Sequence, residues 1–170
     1  MQRLNKLWAL SIPIVERGSE RIYDRDFRYP DDPLWTIRIN QWHPEGMTKQ
    51  IMCEVKVAGV TFEGKSERIV LFILGKNRQI ILEREPNNPY GPNTIKVLGL
   101  WVDNYSERQL SHLGYIPHDD AAFIAENSLG VKIGATIYAM FLPHEDASSP
   151  GLRLDIWRER NDNDRKGHHS

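Results

Sequence analysis

Residues 84–97 read Arg-Glu-Pro-Asn-Asn-Pro-Tyr-Gly-Pro-Asn-Thr-Ile-Lys-Val, and this segment limits the possible folds more than any other. An apolar run (Ile80, Ile81, Leu82) stops just before it, and another (Ile95, Val97, Leu98) starts at its end. Three prolines, three asparagines and one glycine lie between. Proline fixes φ and removes a backbone donor, so neither helix nor strand can run through this stretch. Two strands joined by a long, stiffened loop are what it allows. That loop carries side-chain amides and one aromatic, Tyr90, a surface suited to something planar and polar.

The rest of the chain agrees with a small β domain. Leu34–Asn40 alternates Trp35, Ile37 and Ile39 against Thr36, Arg38 and Asn40, and His43-Pro44-Glu45-Gly46 is a turn. From residue 50 onward, short strands are predicted at Ile51–Val60, Ile69–Leu74, Gln79–Arg84, Thr94–Val102, Val131–Leu142 and Leu152–Arg158. Two helices interrupt them. Ser106-Glu107-Arg108-Gln109 matches a capping box and predicts a helix ending before Gly114. Asp119 is the expected cap of a second helix, Asp120–Asn127, with Ala121, Ile124 and Ala125 on one face. The predicted fold is mainly β with two short helices, a small OB-like or SH3-like barrel over residues 51–158. Residues 1–50 form an irregular N-terminal extension, and 159–170 a polar, disordered tail.

Composition excludes several functions. A net charge of −1 removes bulk attraction to nucleic acid, so any such role rests on a local patch or on stacking. One cysteine, Cys53, allows neither an intrachain disulfide nor a Cys-rich zinc site, and its alternating context reads as core. No apolar run has the length of a membrane span, and the first residues lack a secretory leader, so the expected location is the cytoplasm, with the nucleoid if DNA is bound. Phosphate loop, dinucleotide fingerprint and nucleophile elbow are all absent. His43, His112, His118 and His144 are scattered, so no metal or other cofactor is expected. His118-Asp119-Asp120 resembles the triplet of a metal-dependent phosphohydrolase only superficially, and helix-start electrostatics explain its aspartates well enough.

The binding reading has more material. Phe62, Tyr90 and Tyr115 each lie close to a glycine, where an aromatic at a strand end can stand exposed and stack on bases. Arg84, Lys96, Lys76, Arg78 and His118 are candidates for phosphate contacts.

These pieces occur in a distinctive order. Ala58-Gly59-Val60-Thr61-Phe62 comes first, then Leu82 through Val97 with its Glu-Pro-Asn-Asn-Pro-Tyr centre, then Gly114-Tyr115-Ile116-Pro117, then Ala121-Ala122, and finally Gly151 through Ile156. Over residues 54–158 this order resembles the HIRAN domain, a family found in helicase-like DNA-repair ATPases and in standalone bacterial and phage proteins. The resemblance implies an OB-like barrel with two short helices and a pocket for the 3′-hydroxyl end of single-stranded DNA. It implies that Phe62 and Tyr90 are the stacking aromatics, that Tyr115 and His118 stand near backbone phosphates, and that Asn93 belongs to the loop scaffold. Two positions depart from the family pattern. Thr61 stands where a basic residue precedes the first aromatic, and Gly91 where an acidic residue meets the terminal hydroxyl. The function implied is a non-catalytic module for single-stranded DNA or DNA ends, with a helicase, a nuclease or a larger complex as possible partner. The alternative is a protein–protein adaptor subunit of a DNA-processing or defence complex.

Overall fold

Along Ile95–Val102 every second residue (Ile95, Val97, Gly99, Trp101) is buried, the two-residue period of a strand with one face on a core. The computed structural model describes residues 25–60, 64–162 and 164. In chain order its elements are β1 (Arg25–Phe27), β2 (Thr36–Asn40), β3 (Lys49–Lys56), α1 (Lys65–Leu74), β4 (Lys76–Arg84), β5 (Ile95–Val102), β6 (Arg108–Tyr115), α2 (His118–Asn127), β7 (Ile133–Phe141) and β8 (Gly151–Arg158). The fold is mainly β with two short helices, as expected.

All strand pairs are antiparallel. β3 pairs β8, β8 pairs β7, and β7 meets β4 at Ile80 and Ala135; β4–β5–β6 is a meander. The eight-stranded ladder itself is open. The sheet branches at β7, and its β3 and β6 ends are joined just past β3, where Ala58 bridges Tyr115 at the end of β6. Ile37, Val55, Phe72, Val97, Leu113, Leu154 and Ile156 fill the interior. Phe72 of α1 meets Trp101 of β5 edge-on at 5.8 Å. Residues 25–40 belong to the same sheet, because β1 pairs β2 and β2 pairs β7. The Gln41 amide spans the seam between β4 and β7, donating to the Arg78 carbonyl at 2.5 Å and accepting from the Ile137 amide at 2.9 Å.

Four local expectations are corrected. The run Ile69–Leu74, expected as a strand, is the second half of α1. Its buried residues, Lys65, Ile69, Phe72 and Ile73, follow helical spacing, whereas Leu71 and Leu74 face outward. The helix expected at Ser106 is instead strand β6. The Asp103 carboxylate takes the Tyr105 and Glu107 amides and the Gln109 side-chain amide, while Ser106 adopts φ 62. These bonds build a hairpin turn and use the residues that a capping box would need. The helix at Asp120 begins two residues earlier, at His118, with Pro117 in the cap position. Cys53 is exposed rather than in the core. The β3–β8 register shifts between Met52 and Val55, and Glu54 has φ 54 with its amide bonded to the Asp155 carboxylate, so the bulge turns Cys53 outward.

In the C-terminal segment, the Asp164 carboxylate accepts from both terminal nitrogens of Arg158, at 2.7 and 2.8 Å, and from Lys49 at 2.6 Å. This aspartate is thereby tied to the start of β3 and the end of β8.

Candidate nucleic-acid interface

The proline-asparagine loop is held by its own side chains. Asn88 accepts from the Tyr90 amide at 2.9 Å and its own amide donates to Glu85 at 3.3 Å. The Gly91 amide reaches the Asn88 carbonyl, and the Thr94 hydroxyl donates to the Gly91 carbonyl at 2.8 Å. The Glu85 amide closes the loop on the Thr94 carbonyl. These bonds leave Tyr90 standing 87 % exposed at the loop tip.

A cleft of about 590 Å³ opens beneath it. Tyr90, Asn93 and Thr94 form one wall, and Ala58 with Gly59 forms another. Tyr115, Pro117 and His118 close the side where β6 passes into α2. Lys65, the first residue of α1, also lines it, although the residue is only 4 % exposed. Its Nζ stands 5.7 Å from the centre of the Tyr115 ring, within cation–π range.

Tyr115 is placed by two devices. Gly114 lets the chain pass close to Ala58, because a Cβ there would sit 2.7 Å from Val57 Cγ1 and closer still to the Ala58 carbonyl. One extra residue, Leu113, bulges from β6 opposite Val97 and Leu98. The bulge brings the His112 ring edge-on to Tyr115 at 4.7 Å. His112 Nε2 donates to the Gly114 carbonyl at 2.8 Å. Burial is the main cause that holds this imidazole below its ordinary pKa, and Lys65 and Lys96 push it the same way. The hydrogen bond to the Gly114 carbonyl and the Glu85 carboxylate act in the opposite sense.

The candidates named from sequence divide cleanly. Tyr90, Asn93, Tyr115 and His118 come together in the cleft. Phe62 lies outside the described residues, as does Thr61. Lys96 is the cross-strand partner of Tyr115, next to the cleft rather than lining it. Arg84 is turned elsewhere: it donates to the Ser128 hydroxyl and carbonyl and to the Val131 carbonyl, fastening the end of α2. Arg78 is buried and ion-paired with Asp26, and its Nη1 donates to the Ile73 carbonyl, so it serves the core rather than phosphate. His118 and Asp119 stand 3.5 Å apart and exposed, and among the described residues no group of three His, Cys, Asp or Glu side chains is placed to hold a metal ion. Sequence reasoning missed Lys65. A lysine opening a helix ahead of an apolar run looks like an ordinary surface charge, and only the packing of α1 on β6 reveals it in the cleft.

A second cleft, of about 540 Å³, lies at the opposite end of β4, among Gln41, Trp42, His43, Asn77 and Thr136. It contains none of the aromatics named for stacking.

The stiff loop, the glycine-lined crossing and the Tyr115 corner come from three separate stretches, and all three fall within one family match. The HIRAN domain model matches residues 51–154. This chain belongs to the HIRAN family. No curated protein and no solved structure matches it. HIRAN membership makes the chain a DNA-binding module in general terms, and the match spans the barrel from β3 to the middle of β8. No helix among the described residues is long and apolar enough to cross a membrane.

Proposed function

We propose that this HIRAN protein is a non-catalytic module that binds single-stranded DNA, at or near a strand end, in the cleft between Tyr90 and Tyr115. The observation that carries the reading is the pose of Tyr90. Tyr90 is 87 % exposed on a loop fixed by side-chain hydrogen bonds, and it lines the same cleft as Tyr115, so its ring is held in place to stack on a base; Tyr105, equally exposed, does not line that cleft. Base stacking on such a ring is worth roughly 1–3 kcal/mol and tolerates any base. Thr94 and Asn93 offer hydrogen-bonding groups around it, and Lys65 and Lys96 supply positive charge close to Tyr115. With a net charge of −1, such local features are what attract a short strand, and duplex binding by bulk charge is disfavoured.

The test is a fluorescence-anisotropy titration with short single strands at low salt, linear and circular. Binding that favours the linear strand and weakens as salt is raised is the expected result. No binding to either form would overturn the proposal. Equal binding to both would keep the DNA role and remove the preference for ends.

A further inference from the structure

We propose that the outer face of the β4–β5–β6 meander is a self-association surface, on which a second copy of this chain docks with its strands reversed.

Ile95, Val97, Gly99 and Trp101 point into the core, so Leu98, Leu100 and Val102 point outward. In an antiparallel pair, residues directly opposite each other share a face. The registers therefore set Ile81 beside Leu98 and Leu110 beside Leu100 on the outer side. Ile81 is 41 % and Leu110 59 % exposed. Ile81, Leu98, Leu100 and Leu110 make one aliphatic patch across three strands. No aromatic ring lies among these four, so the patch suits aliphatic side chains like its own rather than stacked bases.

The charges at the two ends of the face choose the occupant. The same registers put Glu83, opposite Lys96, at one end, and Lys76 and Arg108, both opposite Val102, at the other. Glu83 and, near His112, Glu85 outweigh Lys96 at the first end, whereas the second end is wholly basic. Among the described residues neither Lys76 nor Glu83 has an ion-pair partner.

A face that is acidic at one end and basic at the other complements itself when reversed. A two-fold axis lying in the interface and crossing the strands lays each end on the opposite end of the second copy. Glu83 of each copy then meets Lys76 of the other, and Leu98 meets Leu100 at the centre. Such an interface is isologous and closes at two copies. Strand and residue spacings make the face about 10 Å wide and about 20 Å long. That is small beside the roughly 800 Å² per partner of a stable interface, so the dimer is weak and reversible.

Sedimentation velocity of the full chain, from about 10 to about 1,000 μM at low salt, tests this. The expected result is a monomer–dimer equilibrium with its midpoint in that range, shifted toward monomer as salt is raised. Leu110→Glu should leave monomer throughout. Lys76→Glu and Glu83→Lys should each raise the dissociation constant about 10-fold or more, because symmetry places two like-charged pairs in every dimer. The double variant restores both pairs with their signs exchanged and should return to within about 3-fold of the parent. All three positions are exposed, so the substitutions spare the core. A parent that stays monomeric at every concentration would overturn the proposal. So would a dimer that Leu110→Glu leaves intact, or a double variant as weak as either single one. The measurement contains no DNA, so its outcome is independent of what the cleft binds.

Discussion

Ala58 and Tyr115 exchange two backbone hydrogen bonds, of 2.8 and 2.9 Å, and this single bridge both joins the ends of the sheet and fixes one wall of the cleft. Stability and recognition are therefore coupled at one point. Ala58, just past β3, holds the backbone of the aromatic that faces the cleft, and the His112 ring packs edge-on against that aromatic.

Gly114→Ala should disturb both properties together. The added methyl meets the Ala58 carbonyl and Val57 Cγ1 well inside van der Waals contact, and the nearest of these is backbone with no flexible end to move. Overpacking of this kind costs about 1–3 kcal/mol. Urea unfolding should show a lower midpoint with an unchanged slope, and DNA titration should show weaker binding because Tyr115 shifts with the bridge. A variant with the wild-type midpoint would show that the close approach of Gly114 to Ala58 is not needed.

Tyr90→Ala should separate the two properties. The side chain is almost fully exposed, so stability should change by less than about 0.5 kcal/mol. Affinity for a short single strand should fall by about 1–3 kcal/mol, the value of a lost stacking partner, and Tyr90→Trp should restore it. Unchanged affinity in Tyr90→Ala would remove stacking on this ring from the mechanism.

What could be read from the sequence depended on whether a signal was local. The loop from Arg84 to Val97 was legible because prolines and asparagines act through their own backbone and near neighbours, and the strands beside it follow. Ser106 misled because the capping-box residues are claimed by Asp103, three residues upstream, whose carboxylate gathers donors for a turn. The Ile69–Leu74 run misled because a short apolar stretch fits a buried strand or a helix equally, and tertiary packing against β6 decides. Arg84 and Arg78 look from sequence like free cations. Their partners, Ser128 and Asp26, are 44 and 52 residues away, a separation that no local pattern encodes.

Gly91→Ala tests the loop's backbone apart from its side chains. The residue sits at φ +149, which side-chain-bearing residues rarely adopt, yet no atom lies closer than 3.9 Å to the would-be methyl. The cost is therefore conformational, about 1–3 kcal/mol, rather than steric. If the loop relaxes to relieve it, the Gly91 carbonyl leaves the Thr94 hydroxyl and Tyr90 moves. A lower thermal midpoint together with weaker strand binding is expected. A neutral effect on both would mean that the loop accommodates an ordinary residue there without strain.

The C-terminal clasp should make stability depend on acid. Hydrogen bonds from Arg158, then from Lys49, hold the Asp164 carboxyl far below the usual carboxylate range. A depressed folded-state pKa means that the unfolded chain binds the proton first. The stability contributed by Asp164 is therefore complete above its unfolded pKa of about 3.9 and is lost as pH falls below that toward the folded value. Asp164→Asn should be less stable than the parent at neutral pH, because it leaves the buried Arg158 guanidinium without its counter-charge. The gap between the two urea midpoints should then narrow as the pH is taken below about 4, where the parent begins to lose the same charge. Other carboxylates, such as Asp32 beside Arg38, titrate in both proteins and cancel in the difference. A gap constant from neutral pH down through this window would show that the Asp164 charge contributes nothing to the clasp.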